Sequence, residues 1–186
     1  GASPKRLGIP GEEEFIGRGV SFCATCDAFF FKGKDVLVVG GGDSALEEAI
    51  FLTRFAENVH IVHRRDELRA GETLKKEAQE NPKIDFIWNT VLEGIRGDNK
   101  VSSVLAKNSK TGETKEIQTD GVFIFIGHYP NTSIYGDQLE KDEEGYLVTD
   151  AYMKTSVDGV FSAGEVQDRI YRQISTSAGQ GCAAAL

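Results

Sequence analysis

Residues 35–45 read DVLVVGGGDSA. A short, β-branched apolar run meets three glycines and passes at once into DSALEEAIFLTRFA, residues 43–56. The apolar run reads as a buried strand. The segment after it reads as a helix, with Ala45, Ile50 and Phe51 on its apolar side and Asp43 or Ser44 able to cap its start. Gly40, Gly42 and Ala45 then match the dinucleotide-binding fingerprint. The first glycine allows the tight turn, the second lets the backbone approach a pyrophosphate, and the alanine permits close packing of helix on strand. The helix N-terminus offers free N–H groups and a partial positive charge to phosphates. A glycine pattern alone can be merely a turn, but a strand before it and a helix after it are the context the fingerprint requires.

The rest of the chain builds around this unit. Residues 58–65, NVHIVHRR, read as a second strand, and residues 66–81 as mostly helical, with Pro82 just beyond. KIDFIWNTVLEGIRG, KVSSVLAKNS and ETKEIQTD read as the strands of an antiparallel meander, with turns at Gly97-Asp98-Asn99 and Lys110-Thr111-Gly112. GVFIFIG, residues 121–127, is again a buried strand. The expected fold is α/β: a Rossmann-like dinucleotide-binding domain with a parallel sheet, helices and a meander. Residues 1–19 read as a connector, 20–130 as the nucleotide-binding domain, and 131–186 as a segment with too few elements for a core of its own.

The end of the second strand bears on which nucleotide binds. Carboxylates there suit the ribose hydroxyls of NAD, whereas basic residues suit the 2′-phosphate of NADP. This chain has His63, Arg64 and Arg65, then Arg69 in the expected next helix. A solvated basic cluster is the bland alternative; the placement after the strand favours NADPH over NADH.

Cys23 and Cys26 form a Cys-x-x-Cys pair, and Cys182 is the third cysteine. Zinc normally takes four ligands, and His60, His63 and His128 supply no matching pair, so no metal is expected. An odd cysteine count does not resemble a secreted disulfide framework. What is left for the pair is a dithiol–disulfide couple. Asp27 follows it directly and could relay a proton or simply cap a turn. Hydride transfer from a nicotinamide to a disulfide calls for a mediator, usually a flavin. The formal net charge of −8 and the lack of a basic tract argue against nucleic acid as partner. Neither a membrane-spanning run nor a signal-peptide core is visible, so the expected location is cytoplasmic, with no membrane contact.

Taken together, GRGVSFCATCDAFFFKGKDVLVVGGGDSALEEA, HRRDELRA, DGVFIFIGHYPNT and TSVDGVFSAGEVQDRIYRQISTSAGQGCAAAL resemble the low-molecular-weight thioredoxin reductases across nearly the whole chain and in that family's order. The resemblance implies that Cys26 meets the flavin, Cys23 exchanges with the thioredoxin disulfide, and Asp27 is the acid. It implies that Gly40, Gly42, Asp43, Ser44 and Ala45 hold NADPH, with His63, Arg64, Arg65 and Arg69 around its 2′-phosphate. Gly164 and Glu165 would lie near the flavin's ribityl–phosphate region, and Arg172, Gln173 and Ile174 beside the isoalloxazine ring. It also implies a large rotation between two domains, hinged near 17–20 and 127–132, and a homodimeric parent enzyme.

Two departures from the family pattern bear on the expectation. Position 165 is Glu where the commoner pattern has Asp, and residues 1–186 do not contain the N-terminal GxGxxG with which that family cradles the FAD pyrophosphate. The expectation is therefore an excised piece that binds NADPH, does not retain FAD stably and does not reduce thioredoxin by itself. Two other readings compete. One is the flavoprotein component of an alkyl hydroperoxide reductase, against which the HRR cluster argues. The other is a non-catalytic NADPH-binding or redox-sensing module.

Overall fold

A computed structural model describes residues 1–186. It divides into two compact units, one comprising Arg6–Ile126 and the other Gly1–Lys5 with Gly127–Leu186. The chain is α/β, as the sequence reading expects.

The larger unit is a three-layer sandwich. Its strands are β2 (Val20–Ser21), β3 (Asp35–Gly40), β4 (Asn58–Val62), β5 (Ile84–Ile87), β6 (Thr90–Gly97), β7 (Val101–Asn108), β8 (Thr114–Gln118) and β9 (Gly121–Phe125). The central sheet has the order β2-β9-β3-β4-β5, and every pair in it is parallel. The helices are α1 (Ala24–Asp27), α2 (Asp43–Leu52) and α3 (Glu72–Glu80). Side chains along a strand alternate between its faces, and here both faces are buried. Val36, Val38, Phe123 and Phe125 pack on Ala45, Leu46, Ala49 and Leu52 of α2. Leu37, Val39, Val122 and Ile124 pack on Leu92, Ile95 and Val104 of the antiparallel β6-β7-β8 meander. That explains why β3 and β9 read as continuous apolar runs: neither face meets water. Fully burying each such side chain contributes about 1.5–3 kcal/mol. Residues 6–19 fold within this unit, with Phe15 buried in the meander-side cluster.

Three local expectations are corrected. The helix expected over 66–81 spans only Glu72–Glu80. The backbone N–H of Arg69 is taken by the Gly41 carbonyl at 2.7 Å and that of Gly71 by Asp43 Oδ1 at 2.7 Å. The segment is thus drawn onto the glycine turn as a loop, and Arg69 sits in that loop rather than on a helix. The stretch expected to open the meander instead divides. Ile84–Ile87 is the fifth strand of the parallel sheet, and the chain reverses at Asn89, at φ +50°, before β6. At the start of α2 neither Asp43 nor Ser44 is the cap; Gly42 is, with no side-chain hydrogen bond.

The smaller unit pairs β1 (Ala2–Pro4) antiparallel with β10 (His128–Pro130). Its core is the small cluster Leu139, Leu147 and Val166 with Tyr135 against it. It ends in α4 (Ile174–Ala185), none of whose residues is buried. No helix is long and apolar enough to cross a membrane.

Candidate functional site

Each glycine of the turn has a distinct reason to be one. A Cβ on Gly40 would lie 2.5 Å from the Phe125 carbonyl oxygen and 2.6 Å from the Ala45 Cβ. Strand, turn and helix are therefore in van der Waals contact there. A Cβ on Gly41 would lie 2.3 Å from His63 Nδ1. A Cβ on Gly42 meets nothing within 4 Å. So the first two glycines serve packing, while the third opens onto free space at the start of α2, where no side chain takes the first N–H groups. A helix start without a side-chain cap and with open space before it suits a phosphate.

The basic cluster divides in two. Arg64, Arg65 and Arg69 are exposed and line a cavity of about 530 Å³ together with Asp66, Glu67, Leu68, Asn89, Ser109 and Lys110. None of these arginines takes part in an ion pair. His63 turns inward instead. It is buried, its ring lies under Gly41, and Nε2 is 3.0 Å from the Glu67 carbonyl oxygen. Burial foremost, and then Arg69 and Arg64 nearby, hold its pKa below the ordinary value despite opposing backbone hydrogen bonds. Asp43 spends its carboxylate on the Gly71 N–H, and Ser44 is exposed.

Cys23 and Cys26 are joined in a disulfide. Cys23 is half-buried and Cys26 exposed. The pair brackets the single turn α1, where Cys23 is the N-cap and its Sγ accepts from the Cys26 N–H at 3.2 Å. Two residues that the sequence reading passed over hold this turn. Glu48 of α2 accepts the Ala24 N–H through Oε2 at 3.0 Å. Ser21 of β2 donates through Oγ to Asp27 Oδ2 at 2.7 Å, and the Ser21 Oγ itself accepts from the Cys23 N–H at 3.1 Å. Asp27, Ser21 and Cys23 thus form one hydrogen-bonded group. Phe29 and Phe30 follow, 70% and 68% exposed, with ring centroids 6.3 Å apart. The aromatic pair therefore presents apolar surface to solvent beside the disulfide. Its sequence signal, FFF directly after CATCDA, is visible in retrospect.

In the smaller unit, Gly164, Glu165 and Ile174 come together around a cavity of about 580 Å³, with Ala163, Ser177 and Ala178. Gly164 has φ +81°, and its N–H is held by Gln180 Oε1 of α4 at 2.9 Å. Gln180 also receives a bond from Gln167 and donates to the buried Asp168, so one glutamine fixes α4 against the glycine turn. Arg172, at φ +48°, contacts His128 Nδ1 through its guanidinium. Gln173 and Ile174 are exposed, Ile174 at 91%.

The profile of the pyridine nucleotide-disulphide oxidoreductases matches residues 1–181. Among curated proteins, the chain is 51% identical to a thioredoxin reductase of Streptomyces clavuligerus, covering 100% of this chain and 58% of that protein. It is 54% identical to a thioredoxin reductase of Chlamydia pneumoniae, covering 100% of this chain and 61% of that protein. Among solved structures, thioredoxin reductase from Streptococcus pyogenes aligns with a TM-score of 0.91 at 49% identity, covering 99% of this chain and 60% of that one. The chain therefore spans about three fifths of the length of these relatives.

Proposed function

This chain belongs to the pyridine nucleotide-disulphide oxidoreductase family, and from that premise we propose that it carries the NADPH site and the redox disulfide of a thioredoxin-disulfide reductase, which acts with FAD on thioredoxin or a thioredoxin-like protein. The observation that carries the reading is Glu48. It lies on the helix that opens at the fingerprint and holds the turn that bears the disulfide. One helix therefore positions both the nucleotide and the sulfurs.

The residues fit the nucleotide. Gly42 leaves room for a pyrophosphate at the start of α2, and three unpaired arginines line a cavity for a 2′-phosphate. They also fit part of a flavin site, since the Gly164–Glu165 turn and the exposed face of α4 border an open cavity in the smaller unit. When bound, NADPH supplies a hydride, and FAD passes the electron pair on to the disulfide.

The chain's own groups account for the rest. Reduction breaks the Cys23–Cys26 bond and leaves both sulfurs reduced. Cys23 Sγ attacks the partner's disulfide, forming a mixed disulfide and releasing one partner thiolate. Asp27, oriented by Ser21, supplies the proton to a leaving thiolate. Cys26 Sγ then attacks Cys23 Sγ, restoring the disulfide and releasing the partner as a dithiol. Phe29 and Phe30 offer the surface on which the partner docks.

The test is a chimera in which residues 1–186 replace the matching stretch of a longer relative, loaded with FAD. It should oxidise NADPH when thioredoxin disulfide is added. Cys23→Ser and Cys26→Ser should each abolish turnover while NADP⁺ binding is retained. A chimera that holds FAD and NADP⁺ yet never reduces thioredoxin would overturn the proposal.

A further inference from the structure

Part of the wall of the arginine cavity comes from a segment distant in sequence. The turn between β7 and β8 brings Ser109 and Lys110 to it. That turn is fixed by backbone bonds. Ser109 donates to the Asn89 carbonyl oxygen through its N–H at 2.6 Å and its Oγ at 2.9 Å, and the Asn89 N–H in turn donates to the Arg65 carbonyl oxygen at 3.1 Å. The meander is thereby registered against the arginine loop. Lys110 Nζ sits 2.5 Å from Asp66 Oδ2, with both side chains largely exposed. The hydrogen bond from Lys110, ahead of any other cause, holds the Asp66 carboxyl below its ordinary pKa.

The charges at the cavity matter more than this one pair. Arg64, Arg65, Arg69 and Lys110 face two carboxylates, Asp66 and Glu67, a surplus of two positive charges. A phosphate monoester carries roughly 1.5 to 2 negative charges at neutral pH. Without Lys110 the surplus falls to one. An exposed lysine is a flexible point charge that changes partners at little cost. Asp66 is a weak holder for it in water, and a dianion amid three arginines is a stronger one.

We propose that Lys110 is a specificity-determining residue for the 2′-phosphate, held by Asp66 while the cavity is free and transferred to the phosphate on binding. The inference rests on the NADPH reading above and deepens it. The Lys110 ammonium keeps its protons throughout; only its hydrogen-bond acceptor changes. Asp66 thus acts as a competitor that moderates affinity, and Lys110 helps to separate NADPH from NADH.

The experiment is calorimetric titration of the 186-residue chain with 2′,5′-ADP and, separately, with 5′-AMP, which lacks the 2′-phosphate. The wild-type chain should prefer 2′,5′-ADP. Lys110→Met should weaken 2′,5′-ADP by about three- to tenfold and leave 5′-AMP unchanged, whereas Lys110→Arg should stay near wild type. Asp66→Asn should strengthen 2′,5′-ADP by about two- to fivefold, and that gain should shrink in the Lys110→Met background. An unchanged preference in Lys110→Met overturns the inference. So does an equal loss for both ligands, which would make the lysine only a support for the turn. A lower 2′,5′-ADP affinity in Asp66→Asn overturns the holding role. If the wild-type chain binds both ligands alike, the NADPH reading itself fails and the inference falls with it.

Discussion

Alanine at two adjacent glycines should have opposite consequences. At Gly41 the new methyl would lie 2.3 Å from His63 Nδ1 and 2.4 Å from Cε1. Ordinary contact begins near 3.4 Å, so the ring must retreat by about 1 Å. It has nowhere open to go, because His63 is only 5% exposed, and moving it breaks the 3.0 Å contact with the Glu67 carbonyl. Overpacking costs about 1–3 kcal/mol and a lost hydrogen bond about 0.5–1.5 kcal/mol. Gly41→Ala should therefore destabilise the larger unit by about 2–4 kcal/mol. Gly42 is different. Its φ of −100° suits alanine, and the methyl meets nothing. A small loss of helix capping and a small gain from a stiffer unfolded chain leave stability within about 1 kcal/mol of wild type. The methyl does, however, occupy the space through which a pyrophosphate approaches α2. Losing charge-assisted hydrogen bonds worth about 1.5–3 kcal/mol lowers NADP⁺ affinity by roughly 10- to 100-fold. Urea unfolding and NADP⁺ titration of both variants decide the matter. A Gly42→Ala chain that binds NADP⁺ as wild type does would refute the placing of phosphate at this turn, and a fully stable Gly41→Ala would refute the packing argument.

Other perturbations follow from the same geometry. Glu48→Ala orphans the N–H of Ala24, a residue with no exposed surface, so dithiothreitol should reduce the Cys23–Cys26 disulfide measurably faster with α2 intact by circular dichroism; an unchanged rate would deny Glu48 its hold on the turn. Ser21→Ala should slow thioredoxin turnover several-fold in the FAD-loaded chimera without changing NADP⁺ affinity, because Asp27 loses its 2.7 Å partner; Ser21→Thr should restore much of the rate. Ser162 Oγ is buried with no hydrogen-bond partner, so Ser162→Ala should leave the thermal midpoint unchanged or raise stability by up to about 1 kcal/mol, and a marked drop would show that the hydroxyl is satisfied. His63 has a folded-state pKa below its ordinary 6.5, chiefly through burial. The unfolded chain then binds the proton more readily, so stability is complete above about 6.5 and declines as pH falls through that value toward the folded pKa. Urea midpoints across this range should show the slope, and His63→Gln should flatten it.

The elements legible in the sequence were those specified by neighbours a few residues apart. The strand, the glycine turn and the helix that follows it (expected over 43–56, observed over Asp43–Leu52), the parallel β9 run and the two meander turns all depend on local periodicity and turn chemistry. What was not legible depends on long-range partners. Residues 66–71 carry helix-compatible side chains, yet Gly41 and Asp43 capture the N–H groups of Arg69 and Gly71 and hold the segment as a loop. Ile84–Ile87 and Thr90–Gly97 are both strand-like, and only pairing with β4 separates the first from the meander. In the site, Cys23, Cys26, Gly42 and the three arginines declared themselves by spacing. Glu48, Ser21 and Lys110 did not, since a glutamate on a helix flank, a serine before a cysteine and a lysine in a hairpin turn carry no pattern until the fold brings them to Ala24, Asp27 and Asp66.

The most direct test of the proposed electron path is thiol counting in the FAD-loaded chimera before and after NADPH is added under anaerobic conditions. The account expects a pair of new thiols per chain, mapping to Cys23 and Cys26 and additional to Cys182, with none gained in Cys26→Ser. Bleaching of the flavin by NADPH with no thiol appearing at Cys23 or Cys26 would contradict it.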